Sequence, residues 1–72
     1  MTGPEQQAQA LAERLLQAHR ALRETDLSAD DKARAARRLV AISDASKHHV
    51  GRAAARLEAF LADLAAGRAA PE

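Results

Sequence analysis

The chain has 72 residues and a nearly balanced formal charge of +1 at pH 7, a length that suits one domain and excludes two. Counting along the sequence gives 20 alanines among 34 hydrophobic residues, which leaves few large side chains for a core. A single aromatic residue, three glycines and two prolines exclude a typical β-sandwich or β-barrel, because those folds need β-branched and aromatic residues and frequent turns. The composition therefore predicts an all-α protein.

The first predicted helix covers residues 4–24. Thr2 stands three residues before Glu5, which is the spacing of a capping box, and Pro4 suits the first turn of a helix. The apolar positions that follow recur in steps of three and four, as one face of a helix requires. They are Leu11, Leu15, Ala18 and Leu22.

A second helix is predicted to begin at Ser28. Ser28 and Asp31 have the spacing of another capping box, and Asp30 and Asp31 would lie at the positive end of the new helix. Glycine occurs only once between Ser28 and Gly67, and proline not at all, so the segment could be one helix or two. Gly67 is the predicted C-cap of this last part, and residues 68–72 form a tail that is expected to fray.

Two interpretations of residues 28–66 stay open. Large apolar residues from Leu39 to Leu64 keep one helical phase throughout, which allows a continuous helix and hence a two-helix hairpin. Weak helix formers over residues 43–51, with candidate N-caps at Asp44 and Ser46, allow instead a break that gives helices near 28–44 and 47–66. The fold prediction is therefore a single small domain over residues 1–72, either a helical hairpin or a three-helix bundle.

The core is expected to be thin. Apart from Met1 and the turn residue Leu27, twelve large apolar residues are available for burial, each contributing ~1.5–3 kcal/mol. Ordering the backbone costs over ~1 kcal/mol per residue, so small helical domains of this kind are often stabilised by association. We therefore expect a homodimer, with a monomeric bundle as the alternative.

An apolar stripe is the predicted partner-binding surface, and it would accept a second copy of the chain or a helix of another protein. Leu11, Leu15 and Leu22 of the first helix would support it. The residues of the stripe are Leu39, Ile42, Val50, Leu57, Phe60, Leu61 and Leu64.

Charge is segregated along the chain. Residues 1–31 carry a net charge of −3, residues 32–56 one of +6, and residues 57–72 one of −2. In an unbroken helix, four arginines would form a line of about 33 Å opposite the stripe, suited to phosphates or to an acidic protein. They are Arg34, Arg38, Arg52 and Arg56, and a nucleic-acid-binding alternative would add Arg37.

No residues are predicted to be catalytic or to bind a cofactor or metal. Asp44, Ser46 and His48 are the residue types of a hydrolase triad, but one helical turn cannot build its geometry. His48 and His49 are adjacent and would point about 100° apart, so they cannot share a metal ion. His19 falls on the apolar face of the first helix, where a packed histidine is expected.

The sequence thus favours a non-enzymatic interaction module, an assembly, adaptor or docking domain, with no cofactor and no small-molecule substrate. A small nucleic-acid-binding or regulatory protein is the alternative. The N-terminus has no basic start or apolar run and no segment has the length of a membrane span, so we expect a cytoplasmic protein without a signal peptide. Nine arginines against two lysines, beside abundant alanine, favour a bacterial source.

Overall fold

The computed structural model describes residues 3–68, whose regular structure consists of three α-helices. They are α1 (Pro4–Glu24), α2 (Ala29–Ala45) and α3 (Val50–Ala65). Each helix packs against the other two, so the chain forms a small three-helix bundle, with short connections that make successive helices antiparallel. This confirms the all-α prediction, and the hairpin with one continuous second helix does not form. None of the helices in the described part is long and apolar enough to cross a membrane.

The connection between α1 and α2 follows the sequence prediction closely. Ser28 is the N-cap of α2, and its hydroxyl accepts a hydrogen bond of 3.2 Å from the backbone N–H of Asp31. This bond satisfies one of the N–H groups that the first turn leaves without a partner. Thr2, from the capping box predicted for α1, lies outside the described residues, and the N-cap of α1 is Gly3, which makes no side-chain capping bond.

The connection between α2 and α3 occupies residues 46–49. Asp44 and Ser46 were the candidate N-caps of α3, and neither of them caps it. The helix begins further along the chain, with His49 as an N-cap that makes no side-chain hydrogen bond. Ser46 instead ends α2, and its hydroxyl donates to the backbone carbonyl of Ser43 at 2.6 Å. A hydroxyl bonded to its own helix in this way competes with helical continuation.

The end of α3 is a Schellman motif. Gly67 has a φ of +80°, its N–H donates to the Leu64 carbonyl at 3.0 Å, and the N–H of Arg68 donates to the Asp63 carbonyl at 2.7 Å. Gly67 therefore ends the helix as predicted. Arg68 is held by the motif, and the remainder of the predicted tail, residues 69–72, lies outside the described residues.

The core lies between the three helices. Large side chains fill its middle, and each helix also contributes one fully buried alanine. Two of the twelve large apolar residues expected inside, Leu16 and Val40, are exposed, whereas the turn residue Leu27 packs against the core. The buried residues are Leu11, Ala18, Ala35, Leu39, Ile42, Ala53, Leu57, Phe60 and Leu64.

Candidate interaction surfaces

The predicted partner-binding stripe forms most of the bundle core. Leu39 and Leu57 have no exposed surface, and Phe60 has 1%. Ile42 and Leu64 are also buried, and Val50 and Leu61 are partly buried against them. Because the chain's own helices cover these side chains, a partner could contact the stripe as a whole only if the bundle opened.

The arginines of the basic segment belong to two helices and do not form one line. Arg38 is turned towards α3, where its Nη1 lies 2.8 Å from Asp63 Oδ2 and its Cζ lies 5.4 Å from the centre of the Phe60 ring. Arg34 is exposed and pairs with Asp31 at 2.8 Å. Arg52 and Arg56 are exposed on α3. The continuous ridge required an unbroken helix, and the turn at residues 46–49 removes that condition.

Asp63 joins the two helices to the C-terminal turn. One carboxylate oxygen accepts a hydrogen bond from Arg38 and the other accepts one from Arg68 at 3.0 Å. The hydrogen bond from Arg38 is the main reason that the pKa of Asp63 lies below its ordinary value of 3.8, and Arg68 lowers it further. Partial burial acts in the opposite direction. The Arg38–Asp63 pair spans 25 positions, a separation that no local motif could have indicated.

A groove of about 280 Å³ separates the N-terminal halves of α1 and α3. Its apolar lining includes Leu11, Val50 and Leu57. At its rim, the Arg14 guanidinium donates to both carboxylate oxygens of Glu58, with Nη2 at 2.8 Å from Oε1 and 2.7 Å from Oε2. These two charged groups are bonded to each other, so the ion pair links α1 to α3 at the surface of the bundle.

The residues that resemble a hydrolase triad do not converge. The Ser46 hydroxyl donates to a backbone carbonyl, and Asp44 lies 3.8 Å from Lys47 in an exposed ion pair. His48 and His49 are both exposed, with ring centres 6.5 Å apart. Among residues 3–68, no group of three or more metal-ligating side chains comes together.

His19 is exposed, and the prediction that it packs on the apolar face of α1 is wrong. That face is centred on Leu11 and Ala18, which are buried, and His19 follows Ala18 by about 100° of helical rotation. The rotation is enough to carry the ring out of the interface.

The outer face of the α1–α2 hairpin, on the side away from α3, holds the two large apolar side chains that are exposed among residues 3–68. Arg14 and Arg38 point towards α3, and Leu16 and Val40 each follow one of them by two residues, about 200° of rotation. Leu16 is 53% exposed and Val40 is 63% exposed. We call this surface the hairpin face. Sequence reasoning missed it because both residues were counted among the twelve large apolar residues of the core.

Alanines and charges complete the hairpin face. Ala12 lies one turn before Leu16, and Ala36 lies one turn before Val40, so small side chains surround the two large ones. Charged residues in the same helical phase occur at its ends. Glu5 and Asp44 lie at one end, where α1 begins and α2 ends, and Arg20 and Arg23 lie at the other. The face therefore has an apolar centre, an acidic end and a basic end.

Comparison with protein-family models, with curated proteins and with solved structures gives no match to this chain.

Proposed function

We propose that the chain is a non-enzymatic interaction module that pairs with a second copy of itself through the hairpin face. The observation that supports this most directly is the exposure of Leu16 and Val40 on one side of the bundle. Leu16 and Val40 are more than half exposed, so they gain only part of the free energy that full burial of such side chains supplies, about 1.5–3 kcal/mol each. In a domain whose core relies heavily on alanine, that amount is significant.

A second copy fits this face better than an unrelated helix because the charges at its ends have opposite sign. A two-fold axis across the face would run the helices of the two copies antiparallel and bring each acidic end to a basic end. Because such an axis places α1 against α1, Glu5 of one copy would then lie near Arg20 and Arg23 of the other. Electrostatic complementarity of this kind fixes orientation more than it adds affinity.

The mass of the chain in solution tests the proposal. At high micromolar concentration, light scattering should give the mass of two chains. Leu16→Gln combined with Val40→Gln should give the mass of one chain with unchanged helix content, because both positions are exposed and glutamine is a good helix former. A matched control, Ala55→Gln with Ala62→Gln, changes two exposed positions of α3 and should leave the mass at two chains.

Orientation is tested by exchanging charges. Arg23→Glu should weaken the pair by placing like charges together, and adding Glu5→Arg should restore it if the two residues meet across the interface. If light scattering gives the mass of one chain for the unmutated protein at high micromolar concentration, self-association is contradicted. If the double variant associates as weakly as Arg23→Glu while the unmutated chain still forms the dimer, the antiparallel arrangement is contradicted.

A further inference from the structure

We propose that the outer α2–α3 face of the bundle binds the phosphate backbone of double-stranded nucleic acid without regard to base sequence. This face is opposite in character to the hairpin face, since it is formed by the segment that carries most of the positive charge. Its arginines come from both helices, two of them near the middle of α2 and two in the first half of α3. The exposed arginines on or beside it are Arg34, Arg37, Arg52 and Arg56.

Helical geometry places these side chains together. Arg34 and Arg38 are one turn apart on α2, as are Arg52 and Arg56 on α3, and Arg38 establishes that this side of α2 borders α3 through its bond to Asp63. Asp63 stands seven residues, or about two turns, after Arg56, so Arg56 shares the side of α3 that borders α2. Because α2 and α3 are antiparallel and Arg38 lies level with Asp63, Arg56 and Arg52 lie beyond Arg38 towards the C-terminal end of α2, and Arg34 lies on its other side. The arginines therefore follow one another along the face over roughly 20 Å, on two helices whose axes are roughly 8–10 Å apart.

Intramolecular ion pairs leave three of these arginines available. Within residues 3–68, Arg14, Arg34, Arg38 and Arg68 each pair with a carboxylate. Arg37, Arg52 and Arg56 are exposed, and none of them pairs with a carboxylate in the described part of the chain. If the chain itself neutralised this face, these guanidinium groups would form ion pairs with its carboxylates.

The chemistry of the face favours phosphate over an acidic protein. Apart from charged residues, it offers only the methyl groups of exposed alanines such as Ala41 and Ala59. Protein interfaces obtain most of their binding energy from buried aromatic or large apolar anchors, and this face has none among the described residues. A partner recognised through charge alone is consistent with arginine, whose guanidinium bonds phosphate oxygens in a bidentate manner.

The same residues favour double-stranded over single-stranded nucleic acid, and they exclude base-specific contacts. Single-strand binding relies on aromatic side chains for stacking, and the one phenylalanine, Phe60, is buried in the core. The bundle measures 20 × 16 Å in cross-section, so a two-helix face cannot enter a major groove about 12 Å wide. The arginines would therefore contact phosphates on the outside of the duplex.

Fluorescence anisotropy with a labelled 20-base-pair duplex at several salt concentrations tests the proposal. Binding should fall steeply with salt, with a log–log slope of about −3 for three phosphate contacts, and two duplexes of unrelated sequence should bind equally. Arg37→Gln, Arg52→Gln and Arg56→Gln together should reduce binding at least about tenfold at low salt and flatten the slope.

A matched pair of single variants locates the binding face. Arg56→Gln should reduce the magnitude of the slope by about 0.9, whereas Arg20→Gln, which removes an exposed arginine from α1, should leave it unchanged. Both are made in the Leu16→Gln, Val40→Gln chain, so that self-association does not differ between them. Circular dichroism establishes that each variant remains helical.

Three results would overturn the proposal. The first is no duplex binding at low salt, and the second is an equal effect of Arg20→Gln and Arg56→Gln. The third is tighter binding of labelled polyglutamate than of the duplex, which would identify an acidic protein segment as the partner. Failure of the hairpin-face dimer would leave the duplex measurement interpretable, because the two surfaces lie on different sides of the bundle.

Discussion

At the scale of single residues, Asp63 has the most consequential surroundings. Its carboxylate bonds to Arg38 of α2 and to Arg68 beyond α3, so one side chain connects two helices and the C-terminal turn. Charge-assisted hydrogen bonds of this kind are stronger than neutral ones, and the carboxylate has little exposed surface. A change of its charge should therefore be felt in the stability of the whole bundle.

Asp63 should make stability depend on pH in the acid range. Because its pKa is lower in the folded chain than the ordinary 3.8, the stabilisation is present above 3.8 and is lost as the pH falls through the lower, folded value. Asp63→Asn should be less stable than the unmutated chain at neutral pH, and the difference should shrink towards pH 2. Urea unfolding across this range, at one protein concentration, measures it; parallel curves would contradict the assignment.

Gly67 and Gly51 should respond oppositely to alanine. Gly67 has a φ of +80°, a conformation that costs an L-residue about 1–2 kcal/mol, so Gly67→Ala should destabilise the chain by about that amount. Gly51 lies in α3, and a Cβ there would meet no other atom within 4 Å. Gly51→Ala should stabilise by about 0.5–1 kcal/mol. Thermal unfolding of the two variants distinguishes them, and equal signs would contradict the argument.

At the scale of helices, α2 and α3 begin in contrasting ways. Ser28 caps α2 through its hydroxyl, whereas His49 makes no capping bond for α3 and the first turn of α3 contains no acidic residue. Yet α3 buries four residues in the core, more than α2. The beginning of α3 is therefore set by packing, whereas that of α2 is specified locally.

This contrast predicts opposite effects at the two N-caps. Ser28→Ala should cost about 1 kcal/mol, because it leaves the Asp31 N–H without its partner. His49→Asp should gain up to about 1 kcal/mol, since a carboxylate can accept from the first-turn N–H groups and interacts favourably with the helix dipole. Urea midpoints measure both changes. A His49→Asp chain no more stable than the unmutated one would show that α3 has no need of a local cap.

Local signals account for the parts of the fold that could be predicted from sequence. The bounds of α1 depend on Pro4 and on apolar spacing, and the start of α2 depends on the Ser28 cap, all of which are signals between residues a few positions apart. The break at residues 46–49 could not be decided, because the apolar phase continues across it while the weak helix formers there favour an end, and packing against α1 adds to the local bond of Ser46 in selecting the bent form. Likewise, the Arg38–Asp63 pair spans 25 positions, which no local pattern records.

The candidate surfaces were predictable to a smaller extent. The charge excess of residues 32–56 was visible in the sequence, but which arginines would be taken up by carboxylates was not. Leu16 and Val40 counted as core residues because every large apolar residue except Met1 and Leu27 was counted there. Their exposure depends on where the third helix packs, which is a property of the assembled bundle.

At the scale of the whole molecule, a few large side chains carry the stability. Phe60, Leu39 and Leu57 are the largest fully buried ones in the described residues, and they come from only two of the helices. Truncating one of them removes contacts that nothing nearby can replace. The bundle should therefore unfold as one unit when its centre is weakened.

Leu57→Ala should destabilise the chain by about 2–5 kcal/mol, enough to leave a domain of this size partly unfolded at room temperature. Leu16→Ala makes the same chemical change at a position that is 53% exposed and should alter the stability of the unassociated chain by less than about 0.5 kcal/mol. Helical circular dichroism at low micromolar concentration compares the two. Similar losses would mean that Leu16 is covered within the single chain.

Ala18, Ala35 and Ala53 have no exposed surface at all, one on each helix. At these positions only methyl groups lie between neighbouring helices, so the small size of alanine sets the distance between the helix axes. A larger side chain at one of these positions would push the helices apart and disturb contacts several turns away. The side-chain volume of this interior can therefore be neither increased nor decreased without loss of stability. Its alanines do not tolerate larger residues, and its leucines do not tolerate smaller ones.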